Sequence, residues 1–274
     1  MDRREKVLHG LDLERSVGLE IGPLANPIVR KSDGTVFYVD YADAPALRLR
    51  YANDPHVDVT KIVEIDAVWG EKTILAALDG KLVDYIIASH VIEHVPDLIT
   101  WLSELYSVLL PEGEVRLVIP DRRYTFDYLR AETRLCDVVS TYLVRARVPQ
   151  PREIIDFCVN KVQIDVANAW RGNVKAEDNL HRDFTFEGAL WLARDVIANG
   201  TYHDVHCWVF TPYSFACLCT DLAKADLLDF ACKNFFVTER NQLEFFVTLV
   251  KLKDKHEIVQ SWREMMLATS PKMG

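Results

Sequence analysis

The sequence predicts an α/β fold with a doubly wound, mostly parallel sheet, and three observations lead to this prediction. Short apolar segments alternate with helical segments along the first 121 residues. Several of the apolar segments end in an acidic residue or a sharp turn. Nearer the carboxyl end, two further apolar segments flank a short polar turn. Alternating strands and helices favour parallel strands with crossover helices.

Five strands are predicted in the first part of the chain. They are Val17–Ile21, Thr35–Tyr41, Lys61–Ala67, Val83–Ala88 and Glu114–Ile119. A helix lies between the last two. Pro96 and Asp97 begin it, a stripe of leucines and Trp101 forms its apolar face, and Pro111–Gly113 ends it.

The pattern resumes near residue 206. Thr211 is the expected N-cap of a helix with Pro212 at its first position. Phe235–Thr238 and Leu243–Leu252 read as strands joined by a hairpin-like turn. An antiparallel pair there would complete a seven-stranded sheet with an antiparallel edge strand.

Residues 122–205 are rich in helical, aromatic and charged segments and carry no clear strand pattern. We therefore expect one core built from residues 1–121 and 206–274. Residues 122–205 form a helical insertion that would cap the site and bind substrate.

Composition narrows the class of protein. The 274 residues are 49% hydrophobic with a net charge of −9, which suits one α/β domain with an insertion and gives no reason to expect a nucleic-acid partner. No apolar segment is long enough to span a membrane, and the first residues lack an apolar signal core, so a cytoplasmic location is expected. The six cysteines lack paired zinc-ligand spacing, and Cys217 and Cys219, which lie in an apolar helical segment, are expected to be buried free thiols.

Acidic residues end three successive predicted strands: Glu20, Asp40 and Asp66. Gly22 could bring backbone close to a ligand, although Leu24 and Asn26 stand where a glycine-rich loop would have further glycines. Asp40 follows Gly22 by 18 residues, a spacing at which a carboxylate can accept from a ribose diol. Asp66 could accept from an adenine amine.

These residues, with SHVIEHVPD (Ser89–Asp97) and LLPEGEVRLVIPD (Leu109–Asp121), resemble a class I S-adenosylmethionine-dependent methyltransferase. The resemblance covers residues 15–121 and resumes at His206–Phe215. It implies a Rossmann-like sheet and S-adenosyl-L-methionine as cofactor. EIGPLANP, ASHVIEHVPD and IPDRRYTFD together also resemble bacterial methyltransferase-domain proteins associated with polysaccharide or glycan modification.

The resemblance implies a cofactor role for each part of the strand edge. The methionine part would lie among Glu20, Gly22, Pro23 and Asn26. Asp40 would hold the ribose hydroxyls with Tyr41 beside it, Asp66 and Ala67 would contact the adenine, and Ser89 and His90 would lie beside the sulfonium.

Methyl transfer to a hydroxyl needs alignment and can use a base. His90 is the predicted base, with Asp121 and His181 as competitors, and Arg123, Tyr124 and His206 are the predicted substrate contacts. The histidines and aspartates of the insertion could instead ligate a divalent metal or make structural hydrogen bonds. No metal ligand is assigned.

The leading hypothesis is O-methylation of a sugar or glycan intermediate. A methyltransferase of a small metabolite or natural product is an alternative that the motifs do not separate. A catalytically inactive cofactor-fold binding protein is another, motivated by Leu24. The expected partner is a small molecule or glycan, and a homodimer is left open. A nicotinamide enzyme fits least, because its pyrophosphate prefers a glycine-rich loop.

Overall fold

Seven strands form one sheet in the computed structural model, which describes residues 1–70, 72–175 and 180–271. The strands are β1 (Val17–Ile21), β2 (Thr35–Asp40), β3 (Ala67–Val68), β4 (Val83–Ser89), β5 (Leu109–Pro120), β6 (Phe230–Phe236) and β7 (Glu244–Lys251).

The strand order is β3-β2-β1-β4-β5-β7-β6, and every pairing on the β3 side of β5 is parallel. Only β7 is reversed relative to the other six strands. The predicted fold class is confirmed, with the antiparallel strand one position in from the edge. Burial explains this position, since β7 is buried along most of its length while β6 exposes residues such as Lys233.

The third strand differs most from the prediction. Lys61–Ala67 was the expected strand, yet β3 is only Ala67–Val68, and Val59–Lys61 forms a 3-10 turn capped by Asp58. The intervening residues lie beside the sheet and are held by isolated backbone hydrogen bonds. Val63 N–H donates to Leu24 C=O, and Asp66 N–H donates to Tyr38 C=O. Asp66 therefore precedes its strand instead of ending it.

Ten α-helices lie in the described residues. They are α1 (Arg3–Val7), α2 (Ala44–Arg50), α3 (Ile74–Ala77), α4 (Leu98–Val108), α5 (Leu135–Leu143), α6 (Pro151–Asn160), α7 (Val166–Trp170), α8 (Phe186–Asn199), α9 (Pro212–Lys224) and α10 (Lys255–Thr269). Asp97 caps α4 and Thr211 caps α9, as the sequence predicts. Leu102, Phe215 and Trp262 of α4, α9 and α10 belong to the main core on the sheet.

Residues 122–205 contain α5 to α8 and, among those described, no strand. Val138 of α5 packs into the main core. By contrast, α6 and α8 pack on each other around a separate cluster that includes Phe157 and Ala193. The division of the chain into a core and an inserted cap remains a proposal.

None of the helices in the described residues combines the length and hydrophobicity that a bilayer crossing requires. All six cysteines are free thiols. Cys219 is buried, as expected, whereas Cys217 is only partly buried.

Gly18 provides a test of how β1 and β4 pack. It pairs with Tyr85, and a Cβ at Gly18 would lie 2.0 Å from Cζ of the fully buried Tyr85 ring. Gly18→Ala should therefore lower the free energy of unfolding by about 1–3 kcal/mol or more, measured by urea denaturation. Gly188→Ala in α8 is the control, because its Cβ would meet only Thr185 Oγ1 at 3.5 Å. Equal stability of the two variants would contradict this packing.

Candidate functional site

A cleft of about 960 Å³ opens at the carboxyl edge of the sheet, where β1 and β4 lie side by side. From β1 the chain winds outward to β3, and from β4 it winds the other way to β5. Such a switch point is where open α/β sheets bind ligands. The cleft is large for a ligand pocket, whose usual range is about 300–1,000 Å³.

The end of β1 forms one wall. Gly22 has φ +66°, a conformation that glycine adopts without strain, and its N–H donates to Val39 C=O at 2.9 Å. A Cβ there would lie 3.2 Å from Val91 Cγ2. Leu24 also adopts a positive φ, +43°, and lines the cleft where the sequence suggested a missing glycine. The turn therefore forms despite the leucine.

Asp40 ends β2 in the same cleft and is 5% exposed. Its Oδ1 accepts the Tyr41 N–H at 2.7 Å, and no described side chain donates to the carboxylate. The pKa of Asp40 is raised to about 6, mainly by burial. The charge of Asp204 adds to this rise, whereas the hydrogen bond from Tyr41 N–H and the charge of Arg50 oppose it. The carboxylate therefore retains acceptor positions that no described residue uses. Tyr41 also lines the cleft.

The chain leaving β3 forms the next wall through Trp69 and Gly70. Trp69 N–H donates to Asp40 C=O at 2.8 Å, and its indole N–H donates to Glu104 Oε2 at 3.1 Å. The sequence analysis missed Trp69 because it placed the strand end at Asp66. The signal that could have located it is the Trp-Gly pair that follows the short apolar segment.

Asp66 and Ala67 do not line the cleft, which argues against their predicted adenine contact. The Asp66 carboxylate is already engaged. Its Oδ2 accepts the Tyr38 N–H at 2.8 Å, and its Oδ1 pairs with Lys31 Nζ at 2.6 Å. Asp66 fastens the segment before β3 to β2 and is directed away from the ligand space.

Glu20 likewise has a structural position. It is buried and accepts the N–H groups of Ile28 and Val29, at 2.7 and 3.0 Å. Burial raises its pKa to about 7 against the effect of these two bonds. Neither it nor the predicted neighbours Pro23 and Asn26 line the cleft, so Gly22 is the only one of these four residues placed to meet a ligand directly.

His90 lines the cleft, but its surroundings argue against a role as base. Its Nε2 lies 2.7 Å from Glu244 Oε2, and its Nδ1 lies 3.4 Å from Glu93 Oε1. Burial would lower the pKa of His90, but the two carboxylates outweigh it and raise the pKa to about 9. Ser89, which precedes it, accepts from Arg3 Nη2 at 2.7 Å and lies outside the lining.

The competing base Asp121 is fully buried outside the cleft and saturated with donors. Arg123 donates from Nε to Oδ1 at 2.9 Å and from Nη2 to Oδ2 at 2.6 Å. The Thr238 hydroxyl also donates to Oδ2, at 2.6 Å. This pairing also argues against Arg123 as a substrate contact. Tyr124 stacks on Trp170 with ring centroids 4.0 Å apart and is likewise outside the cleft.

The two predicted histidines of the later chain also lie outside the cleft lining. The His181 side chain is 70% exposed and lies 3.6 Å from Asp183. His206 is buried, with its Nδ1 2.6 Å from Asp127 Oδ2. Neither is placed to contact a substrate in this cleft.

The sequence analysis did not predict that the groups on the far side of the cleft come together. Arg50 of α2 lies over the Tyr41 and Tyr202 rings, at 5.4 and 6.0 Å from their centroids. Asp204 lies 3.4 Å from Arg50 and 2.8 Å from His94. These groups come from distant parts of the chain, so no local pattern could show their convergence.

The strand order and the reversed β7 form the doubly wound, Rossmann-like sheet that the sequence predicts. No family model and no curated protein matches the sequence. An S-adenosylmethionine-dependent methyltransferase from Methanosarcina mazei is 18% identical, with 90% of this chain and 98% of that one covered and a TM-score of 0.45.

Two further solved structures are similar to this chain. The CcbJ methyltransferase from Streptomyces caelestis is 9% identical, with 91% and 94% of the two chains covered and a TM-score of 0.46. A Rhodobacter sphaeroides protein whose given name places it among zinc-dependent alcohol dehydrogenases is 13% identical, with 92% and 91% covered and a TM-score of 0.47. The function of this chain rests on the geometry of its cleft.

The structural position of Asp121 can be tested directly. Asp121→Ala removes acceptors from Thr238 and Arg123, and bonds to charged groups contribute about 1.5–3 kcal/mol each. The free energy of unfolding in urea should fall by about 2–4 kcal/mol. Asp12→Ala is the control, since this exposed aspartate should change stability by less than about 0.5 kcal/mol. A stability of Asp121→Ala equal to that of the control would show that the network does not support the fold.

Proposed function

We propose that this protein is an S-adenosylmethionine-dependent methyltransferase. The observation that carries the proposal is the buried Asp40 carboxylate at the end of β2 in a switch-point cleft, to which no side chain among the described residues donates. A carboxylate in that position can accept hydrogen bonds from the hydroxyls of a ribose. The cofactor would supply the methyl group from its sulfonium, and the chain would bind and align the reactants.

The walls of the cleft fit the rest of the cofactor. Gly22 leaves backbone exposed where a Cβ would crowd Val91, which suits close approach of the methionine part. Trp69 and Gly70 border the space next to Asp40 and would flank the adenine. The sequence-based assignments of Gly22, Asp40 and Tyr41 therefore remain proposals with a consistent geometry, and Trp69 joins them.

Alignment is the main contribution that we assign to the protein. Since His90 is held between two carboxylates, it is poorly suited to remove a proton from an acceptor. Positioning the acceptor in line with the sulfonium converts the transfer into an effectively unimolecular step. The cleft volume leaves room for an acceptor beside the cofactor.

We propose a sugar or glycan hydroxyl as the acceptor. Tyr41 and Tyr202 present aromatic rings at the cleft, with Arg50 above them. Aromatic faces with a nearby polar group suit a sugar ring, which has an apolar face and polar edges. Residues 122–205 would contribute the cap over this side, through Tyr202 and through Tyr142 of α5.

Asp40→Ala should weaken S-adenosylmethionine binding. Loss of even one charged hydrogen bond worth about 1.5–3 kcal/mol corresponds to a dissociation constant at least roughly 10–100-fold higher, measured by isothermal titration calorimetry. Asp54→Ala is the matched control, because this exposed aspartate of the same region does not line the cleft. An unchanged dissociation constant in Asp40→Ala would remove the ribose assignment.

The raised pKa of Asp40 also predicts a pH dependence. The carboxylate is ionised above about pH 6 and protonated below it. Affinity for S-adenosylmethionine should therefore be full near neutral pH and fall as the pH drops through about 6, approaching roughly tenfold per pH unit. The facing Asp204, whose pKa is held at about 2 mainly by His94 against the effect of burial, stays ionised over this range, and Arg50 stays charged.

Titrations between pH 5 and 8 measure this dependence. Asp40→Ala should bind weakly with little change over the same range. An identical pH profile in the wild type and this variant would assign the dependence to another group and contradict the role of Asp40.

A further inference from the structure

Three side chains of metal-ligand type converge beside the cleft: His94, which lines it, and Glu93 and His206, which are buried behind its lining. Each offers one ligand atom, and these three atoms lie within 4.8 Å of one another. Glu93 and His94 end the 3-10 helix Ile92–His94 after β4, whereas His206 lies on the segment before α9. The Glu93 C=O holds the two segments together by accepting the N–H groups of Cys207 and Trp208.

The Glu93 carboxylate is the strongest sign of a ligand. The residue is 1% exposed, and neither of its carboxylate oxygens has a hydrogen-bond partner among the described residues. His90 Nδ1 approaches Oε1 to 3.4 Å without the geometry of a hydrogen bond. His90 compensates Glu93 only as a charge at 3.4 Å. Burying a carboxylate without hydrogen bonds is costly, and a bound cation would reduce that cost.

Both histidines are oriented by carboxylates on one ring nitrogen. His206 Nδ1 lies 2.6 Å from Asp127 Oδ2. His94 Nδ1 lies 2.8 Å from Asp204 Oδ1, at an angle poor for a hydrogen bond. Metal-bound histidines commonly have a carboxylate on the nitrogen that does not bind the metal. This arrangement leaves Nε2 of each ring for a metal.

We propose that Glu93, His94 and His206 bind one divalent transition-metal ion, and that zinc is the ion their chemistry suits best. Two imidazoles and one carboxylate form a known zinc donor set, which leaves a further position open. Imidazole nitrogen is a poor ligand for calcium or magnesium, which prefer oxygen.

The present geometry needs only a small adjustment to hold zinc. Bonds of about 2.0–2.1 Å in a tetrahedral site place ligand atoms about 3.4 Å apart, so the three side chains must close on the ion. Because His94 lines the cleft, the open position would lie near the ligand space. Binding of the metal itself does not depend on the proposed methyltransferase activity.

The full chain, treated with a chelator and then dialysed, should be titrated with Zn²⁺ in the calorimeter without S-adenosylmethionine. One ion per chain is expected, and the same site should give Co²⁺ visible absorption bands that Zn²⁺ abolishes. Glu93→Gln and His206→Gln should each weaken zinc binding by more than about 100-fold, since loss of a supporting carboxylate alone costs about 10–100-fold. Asp204→Asn should show that smaller loss.

His203→Gln is the matched control, because His203 lies close in sequence but pairs with Asp195 at 2.8 Å outside the three-residue cluster. It should bind zinc like the wild type. Circular dichroism must first show that each variant is folded. If His206→Gln does not fold, the zinc affinities of Glu93→Gln and Asp204→Asn test the proposed site.

Absence of stoichiometric zinc uptake by the wild type would overturn the site. So would uptake that Glu93→Gln leaves unchanged. Because the titration contains no cofactor, its failure is distinguishable from a failure to bind S-adenosylmethionine, which would bear on the proposed function alone.

Discussion

At the end of β1, the buried carboxylate of Glu20 accepts the backbone N–H groups of Ile28 and Val29 and draws the chain back beside the strand it has just left. The residues between must then turn sharply, which they do at Gly22 with φ +66°. That turn opens the backbone toward the cleft and brings β2 into line, so that Asp40 ends at the same edge. One buried carboxylate, itself outside the cleft, thus supports two of the residues that face it.

Two residues at the same opening hold strained backbone conformations. Leu24 and His90 adopt positive φ values of +43° and +54°, which cost a residue with a Cβ roughly 1–2 kcal/mol. Strain of this kind persists where the surrounding structure enforces it, and it clusters at functional sites. At His90 it directs the ring between Glu93 and Glu244, which links the rim of the cleft to β7.

The sequence predicted those parts of the fold that depend on local patterns. Apolar segments bounded by turns located β1, β2 and β4, and Thr211 was recognisable as a helix cap. The strand β3 has only two residues, which is too short for a recognisable sequence pattern. Asp66 was therefore predicted at the cleft, where the structure has Trp69. An aspartate at a strand end looks the same in sequence whether it is free for a ligand or paired within the protein.

The same limit explains the candidate base and the metal ligands. His90 was correctly placed at the edge of β4, but Glu244 reaches it from β7, and no local pattern reports that contact. The Asp121 carboxylate forms an ion pair with Arg123, which lies only two residues away. The sequence alone could not show whether these two residues pair with each other or both contact a substrate. The approach of His206 to Glu93 likewise depends on how the segment before α9 returns to the sheet.

The central claim is that Asp40 and Gly22 face a bound nucleoside cofactor at the switch point of the sheet. A crystal structure of the protein with S-adenosylhomocysteine tests this most directly. The account predicts that both ribose hydroxyls contact the Asp40 carboxylate, with the adenine against Trp69 and the amino-acid part beside Gly22. A ligand bound elsewhere, or one in this cleft with its ribose away from Asp40, would contradict it.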